Sequence, residues 1–114
     1  MPAEKNFENK IKDFLKSQNC YFVKYFANRM TKVGIPDILA SVGGHFVGIE
    51  VKATKGTPSD LQKWNIEQIQ KSGGFGVILY PEYWEDFKTM VSVLLDGEID
   101  NARIIEQRVN HKFF

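Results

Sequence analysis

The sequence is poor in cysteine and has no long apolar run. Cys20 is the single cysteine, which excludes an intramolecular disulfide bond and a zinc cluster built from several cysteines. No apolar stretch approaches the roughly 20 residues that a membrane-spanning helix needs. The segment from Met1 to Lys10 is polar and lacks the apolar centre of a secretory signal. We therefore expect a cytoplasmic protein that has no membrane partner.

Charge is nearly balanced, so net charge alone identifies no partner. The formal charge is +1, but residues 1–63 hold ten Lys and Arg against six Asp and Glu, whereas residues 64–114 hold five against eight. A basic half can face phosphate groups while the acidic half faces away, although a solvated surface explains such a bias equally well. With 114 residues, 43% of them hydrophobic, the chain is expected to form a single domain, 1–114.

Apolar periodicity in the first half of the chain predicts a helix followed by three strands. Residues 5–18 carry apolar side chains at the i, i+4, i+7 and i+8 spacing of an amphipathic helix, and residues 20–27 favour a strand. The apolar runs 35–42 and 45–53 are joined by Gly43-Gly44. This pair is a strong hairpin signal, because both turn positions can adopt positive φ at no steric cost.

The second half of the chain supplies the remaining predicted elements. Thr57 is expected to cap a helix that ends near Lys71. A buried strand over 76–80 and an amphipathic helix over 82–95 follow. The tail, 98–114, is rich in apolar residues and could form a helix or a strand that packs on the body or on a second subunit. The predicted order is αβββαβα, a mixed sheet flanked by helices.

The register of the hairpin brings two acids together. If the two glycines form the turn, Val42 pairs with His45, and Asp37 lies directly opposite Glu50. Opposed side chains stand about 4.5–5.5 Å apart at Cβ, and two like charges there are destabilising. A divalent, oxygen-preferring cation such as Mg²⁺ or Mn²⁺ would relieve that repulsion. The sequence therefore predicts a metal site between these carboxylates.

A lysine accompanies the two acids. Strand side chains alternate, so Glu50 and Lys52 project from the same face while Val51 is buried on the other. The trio suits hydrolysis of a phosphodiester, because a metal ion activates water and Lys52 can orient or help deprotonate that water, or neutralise charge. The alternative is that Asp37 caps the Ile-Pro turn and the other two form a surface ion pair. The preceding proline, the aligned register and the apolar strands favour the site.

The motifs resemble those of the PD-(D/E)xK nuclease superfamily. Gly34-Ile-Pro-Asp37 is followed by Gly48-Ile-Glu-Val-Lys52 and Ser59-Asp-Leu-Gln62, a pattern similar to the virus-type replication-repair nuclease (VRR-NUC) family over about residues 4–80. The resemblance implies a restriction-endonuclease-like α/β core, with a C-terminal helix and tail over 81–114, and Mg²⁺- or Mn²⁺-dependent DNA cleavage. Stand-alone, phage-type members resemble Holliday junction resolvases, which implies a homodimer acting on branched DNA in a bacterial or phage-infected cell.

The resemblance also assigns roles to individual residues. Asp37 and Glu50 match metal ligands, with the Val51 backbone carbonyl as a third, and Lys52 matches the catalytic lysine. Glu8 lies in the first helix, from which related nucleases often supply an acid as a further catalytic residue or ligand.

Other candidate site residues carry weaker signals. A solvated helix position explains Glu8 nearly as well as a site does. Gln62 matches a glutamine of the pattern and shares a helix face with two isoleucines, so we expect it to point toward the sheet and the site. Four basic residues flank the acids and could either hold DNA phosphates or simply solvate their loops: Lys24, Arg29, Lys32 and Lys55.

The remaining distinctive residues are predicted to be structural. His45 and His111 lack a partner at a metal-binding spacing, and the tryptophans and phenylalanines fall at core periods. Two other functions stay open. One is a nuclease that prefers flaps, single strands or plain duplex, and the other is a DNA-binding module without catalytic activity.

Overall fold

The computed structural model describes residues 2–26 and 32–114 of the chain. In these residues a short 3₁₀ turn, Pro81–Tyr83, precedes the third helix. The main elements follow one another as α1 (Pro2–Ser17), β1 (Tyr21–Lys24), β2 (Ile38–Val42), β3 (His45–Val51), α2 (Asp60–Lys71), β4 (Phe75–Leu79), α3 (Trp84–Leu95) and α4 (Ile99–Val109).

The four strands form one mixed sheet in the order β1-β2-β3-β4. The first three strands are antiparallel and β4 runs parallel to β3. Val42 pairs with His45 and Ile38 with Ile49, which confirms the predicted register. Gly43 has φ 57°, and a Cβ at this position would lie 2.7 Å from the Leu94 carbonyl oxygen, so the turn requires glycine there.

Helices cover both faces of the sheet, as predicted for an α/β fold. One face of β2, β3 and β4 packs with α1 and α3 around a core that includes Ile11, Ile49 and Phe87. On the opposite face, α2 contacts β3 and β4, with Ile66 against Ile78. None of the described helices is both long and apolar enough to cross a membrane.

The C-terminal tail forms α4, which packs on the body of the domain. Ala102, Ile105 and Val109 are buried in the main core. The polar side chains of Glu106 and Asn110 bond the outer edge of β4: Glu106 accepts from Gly76 N at 2.8 Å, and Asn110 accepts from Ile78 N at 3.0 Å. This resolves the choice that the sequence left open between helix and strand, and between the body and a second subunit.

The N-terminus of α2 and several aromatic side chains differ from the prediction. The cap is Ser59 instead of Thr57, because Ser59 Oγ accepts from Gln62 N and Gln62 Oε1 accepts from Ser59 N, a capping box. The prediction of a buried Trp64 is wrong: it is 49% exposed, since it lies on the side of α2 away from Ile66. Phe26 and Phe46 are also exposed, at 72% and 48%.

Candidate active site

Asp37 is fixed by backbone contacts from two neighbouring strands. It follows Pro36 and directly precedes β2, one position beyond the last strand pair, Ile38 with Ile49. Its backbone carbonyl accepts from Tyr25 N at 2.8 Å, and its Oδ2 accepts from Val51 N at 2.8 Å. One carboxylate oxygen is therefore used to hold the side chain at the end of β3, and Oδ1 remains for other partners.

Glu50 is buried with an incomplete set of partners. Its side chain is 2% exposed, and within residues 2–26 and 32–114 its Oε1 has no hydrogen-bond partner. Burial, followed by the negative charge of Asp37, raises the pKa of Glu50 to about 8, although Lys52 acts in the opposite direction. The two acids are thus close enough to repel each other, as predicted. The unpartnered Oε1 beside a second acid makes this pair of carboxylates a candidate position for a cation.

Lys52 lies directly beyond the end of β3, on the same face as Glu50. Its Nζ is 3.6 Å from Glu50 Oε2, and its backbone N donates to Leu79 O at 3.0 Å, which extends the pairing with β4. Val51, between them, is 1% exposed and packs in the core. The alternation inferred from the sequence is confirmed, and the lysine is partly buried beside the acids.

Glu8 and Lys24 complete the cluster. Glu8 of α1 is 6% exposed, and Lys24 Nζ lies 2.8 Å from Glu8 Oε1 and 3.4 Å from Asp37 Oδ1. Burial acts to raise the pKa of Glu8, but hydrogen bonds and charges from Lys24, Lys12 and Lys5 outweigh it and lower that pKa. The sequence left Lys24 as either a DNA phosphate contact or a residue that solvates its loop. Its amine contacts two carboxylates, because β1 pairs with β2 beside Asp37, and a contact with DNA stays a prediction.

Of the other predicted site residues, three lie in the described part of the chain and Arg29 does not. Gln62 is partly buried and its amide oxygen serves the capping box of α2, so a catalytic role for it stays a prediction. Lys32 and Lys55 are exposed, as DNA contacts require, and their role is likewise a prediction. Arg29 falls in residues 27–31, outside the described residues.

The donor set fits a divalent, oxygen-preferring cation. No group of three or more His, Cys, Asp or Glu side chains forms a metal cluster in the described part of the chain, so a cage built only from side chains is absent there. Mg²⁺ commonly binds to one or two carboxylates and takes its other ligands from water and substrate phosphate. Asp37, Glu50 and the Val51 carbonyl match that pattern, and the unpartnered Glu50 Oε1 is the atom that most needs such an ion.

Sequence reasoning missed the position of Lys24. It left the lysine as a cation that either holds DNA phosphate or solvates the loop before Asp37, whereas the amine is held between two acids. The contact depends on the pairing of Lys24 with Ile38, across a connection too long for its register to be derived from turn length. The available signal was weaker: a basic residue at the end of a strand that precedes Asp37.

Comparison with known proteins finds a match to one protein family. The family model described as archaeal Holliday junction resolvase (Hjc) matches residues 3–79, which include every acid and lysine of this site. This family is PD-(D/E)xK nuclease-like, in agreement with the superfamily resemblance, whereas the narrower VRR-NUC assignment and a phage origin stay predictions. No curated protein and no solved structure shows significant similarity to the chain.

Proposed function

Because the chain belongs to the archaeal Holliday junction resolvase family, we propose that it is a divalent-metal-dependent endonuclease that cuts four-way DNA junctions as a homodimer. Family membership implies the nuclease activity on branched DNA. The observation that carries the metal requirement is Glu50 Oε1, buried without a partner in the described residues and next to the charge of Asp37. Within the described residues that oxygen has no partner, and a bound divalent cation would supply the missing contact.

In the proposed reaction, each side chain of the site has a distinct task. Asp37 Oδ1, Glu50 Oε1 and the Val51 carbonyl would hold Mg²⁺ or Mn²⁺. The ion would supply a water of lowered pKa and would stabilise charge on the phosphoryl oxygens. Lys52, 3.6 Å from Glu50, orients the attacking water and neutralises negative charge as the phosphodiester bond breaks. The partly buried position of Lys52 strengthens this charge effect.

The dimer is proposed because two symmetric cuts need two sites, and the described part of one chain contains one such site. An uncovered part of the sheet supports it. Tyr21 and Phe46 are 74% and 48% exposed, and both lie in register with Ser41 on adjacent strands. We call these three residues and the neighbouring Val23 the open sheet face. Exposed apolar side chains on one face are typical of a surface that another protein covers.

The function is tested with labelled four-way junction, flap, single-stranded and duplex DNA, in Mg²⁺, Mn²⁺ or chelator. We expect paired cuts in the junction that require metal. Asp37→Asn should still bind the junction but stop cutting it, whereas Asp60→Asn should cut normally, because the Asp60 carboxylate is exposed at the start of α2. Cutting that persists in chelator contradicts the metal requirement. If the flap is cut and the junction stays intact, a flap nuclease is favoured. If Asp37→Asn retains the function of the wild type, a non-catalytic DNA-binding module is favoured.

The dimer is tested separately by light scattering and by the cutting pattern. The double variant Tyr21→Ser with Phe46→Ser should shift the protein to a monomer that nicks one strand at a time. Ile104→Ser is the matched control, because it removes an apolar side chain that is 55% exposed on α4, away from the open sheet face. A wild-type monomer that makes paired cuts would contradict the proposal.

A further inference from the structure

The acidic cluster already contains a cation that the chain itself provides. Lys24 Nζ lies between Glu8 Oε1, at 2.8 Å, and Asp37 Oδ1, at 3.4 Å. The side chains of Lys24 and Glu8 are 19% and 7% exposed, so this contact is largely shielded from solvent. It differs in this respect from the surface ion pairs of the helices, such as Lys88 with Glu85, whose carboxylate is 83% exposed.

The oxygens of the three acids are unequally available. Both oxygens of Glu8 contact an amine. Oε1 contacts Lys24 Nζ, and Oε2 contacts Lys5 Nζ at 3.4 Å and Lys12 Nζ at 3.3 Å. Asp37 uses Oδ2 for Val51 N and has Lys24 on Oδ1. Glu50 alone has an oxygen without a partner in the described chain. A metal ion held by Glu50 and Asp37 would therefore meet Lys24 at Asp37 Oδ1.

We propose that Lys24 is a tethered counter-ion that competes with the divalent metal for Asp37, and that Glu8 anchors this lysine instead of ligating the ion. This inference rests on the proposed function, because it concerns the same metal site. Lys24 then limits the affinity of the free protein for metal and occupies the place that a second ion would take. Lys24 is in this account a positioning residue, and Glu8, predicted as a possible metal ligand, holds it in place.

Electrostatics sets the direction of the effect. An ammonium group and a divalent ion that share one carboxylate repel each other strongly, because the site is partly buried and screening by water is weak. Removal of the lysine charge should therefore tighten metal binding at least about tenfold. A lysine that only supports the local structure would have the opposite effect, since its loss would misplace Asp37 and weaken the site.

The experiment measures Mn²⁺ binding by calorimetry, without DNA, in the full chain. Lys24→Met should bind Mn²⁺ at least about tenfold tighter than the wild type, and Lys24→Arg, which keeps the charge, should restore wild-type affinity. Lys12→Met is the matched control: it also removes a lysine from Glu8, but that lysine does not contact Asp37, so affinity should not change. Unchanged or weaker binding by Lys24→Met overturns the inference.

A second variant keeps the inference testable if Lys24→Met does not fold. Glu8→Gln keeps the shape of the side chain and should bind Mn²⁺ at least as tightly as the wild type, because it loosens Lys24 from the site. Weaker binding would make Glu8 a ligand and would overturn the inference.

The outcomes also separate this inference from the proposed function. Metal binding and junction cutting by the wild type, without tighter binding by Lys24→Met, refute only the role of Lys24. Tighter binding by the variant in a protein that cuts no DNA supports the role of Lys24 and refutes the nuclease. No Mn²⁺ binding by any variant refutes both.

Discussion

Two glutamates of this protein are equally buried, and their surroundings differ in one decisive respect. Glu50 and Glu106 are each 2% exposed. Glu106 accepts from Gly76 N at 2.8 Å through one oxygen and from Arg103 Nη1 at 3.0 Å through the other. Glu50 has a lysine at 3.6 Å on one oxygen and no partner in the described chain on the other. Burial alone therefore does not identify a functional acid, whereas the lack of partners does.

The surroundings of Glu106 explain why its region is structural. Glu106 and Asn110 together take the place of a neighbouring strand along the outer edge of β4. Glu106 accepts from Gly76 N, and Asn110 contacts both Gly76 O and Ile78 N. The guanidinium of Arg103 lies 3.7 Å from the centre of the Phe75 ring and donates to Gly74 O. These groups satisfy one another, so this edge of the sheet is closed to other chains.

The largest expected effect is on catalysis. Glu50→Gln should reduce junction cleavage roughly a thousandfold, because the amide removes a proposed metal ligand and its negative charge. Glu106→Gln should leave cleavage near the wild-type rate. Single-turnover cleavage at saturating protein measures both. Equal losses in the two variants would break the distinction between them.

The next effect is on folding stability, and here we expect the change at Glu106 to matter. Glu106→Ala should lower the free energy of unfolding by about 3 kcal/mol, because it leaves the Gly76 N–H and part of Arg103 without a partner. Glu85→Ala, which removes an exposed ion pair with Lys88, should change it by less than about 1 kcal/mol. Urea unfolding in chelator measures both free energies. If Glu106→Ala has the same free energy of unfolding as the wild type, the edge of β4 does not need the Glu106 carboxylate as a hydrogen-bond acceptor.

The smallest expected effect is a pH dependence of folding stability that Glu50 causes. The folded pKa of Glu50, about 8, lies above its ordinary value of 4.5, so the native state holds a proton that the unfolded chain releases between these values. The metal-free protein should therefore lose stability as pH rises from 5 to 8. Glu50→Gln lacks this loss, so the variant should become the more stable protein at pH 8, on the order of 2 kcal/mol.

This pH dependence is measured by urea unfolding of both proteins in chelator at pH 5 and pH 8. Mn²⁺ binding to the wild type should tighten over the same range and release a proton, because the ligand must be ionised. An identical pH dependence in the wild type and in Glu50→Gln would contradict the raised pKa.

The geometry of the candidate site was predictable from the sequence because it is local. A two-residue turn joins the strands that carry Asp37 and Glu50, so strand pairing places the acids together, and strand alternation adds Lys52. Helices α1, α2 and α3 and the buried strand β4 also followed from periodicity, within a few residues at their ends, whereas the tail that forms α4 had been left open between helix and strand. In all these cases, neighbours in sequence determine the structure.

The parts that could not be predicted depend on contacts between distant segments. The contact of Glu106 with Gly76 joins residues that are thirty positions apart, and no local pattern in the tail distinguishes it from a solvated helix position. Lys24 reaches Asp37 across thirteen positions and the loop between them. Trp64 was expected to be buried from its position in the helical period, but its side of α2 faces away from Ile66 and it is 49% exposed. Tertiary packing decided each of these outcomes.

The glycine turn has a consequence for related chains. Gly43 and Gly44 join the two strands by a two-residue turn, and one residue inserted within β3 would turn Glu50 and Lys52 toward the apolar interior where Val51 now lies. Such an insertion would bury two charges and empty the metal site at once. Related chains that keep this site should therefore change length in the turn itself, or compensate with a bulge, and keep the alternation of Glu50, Val51 and Lys52 intact.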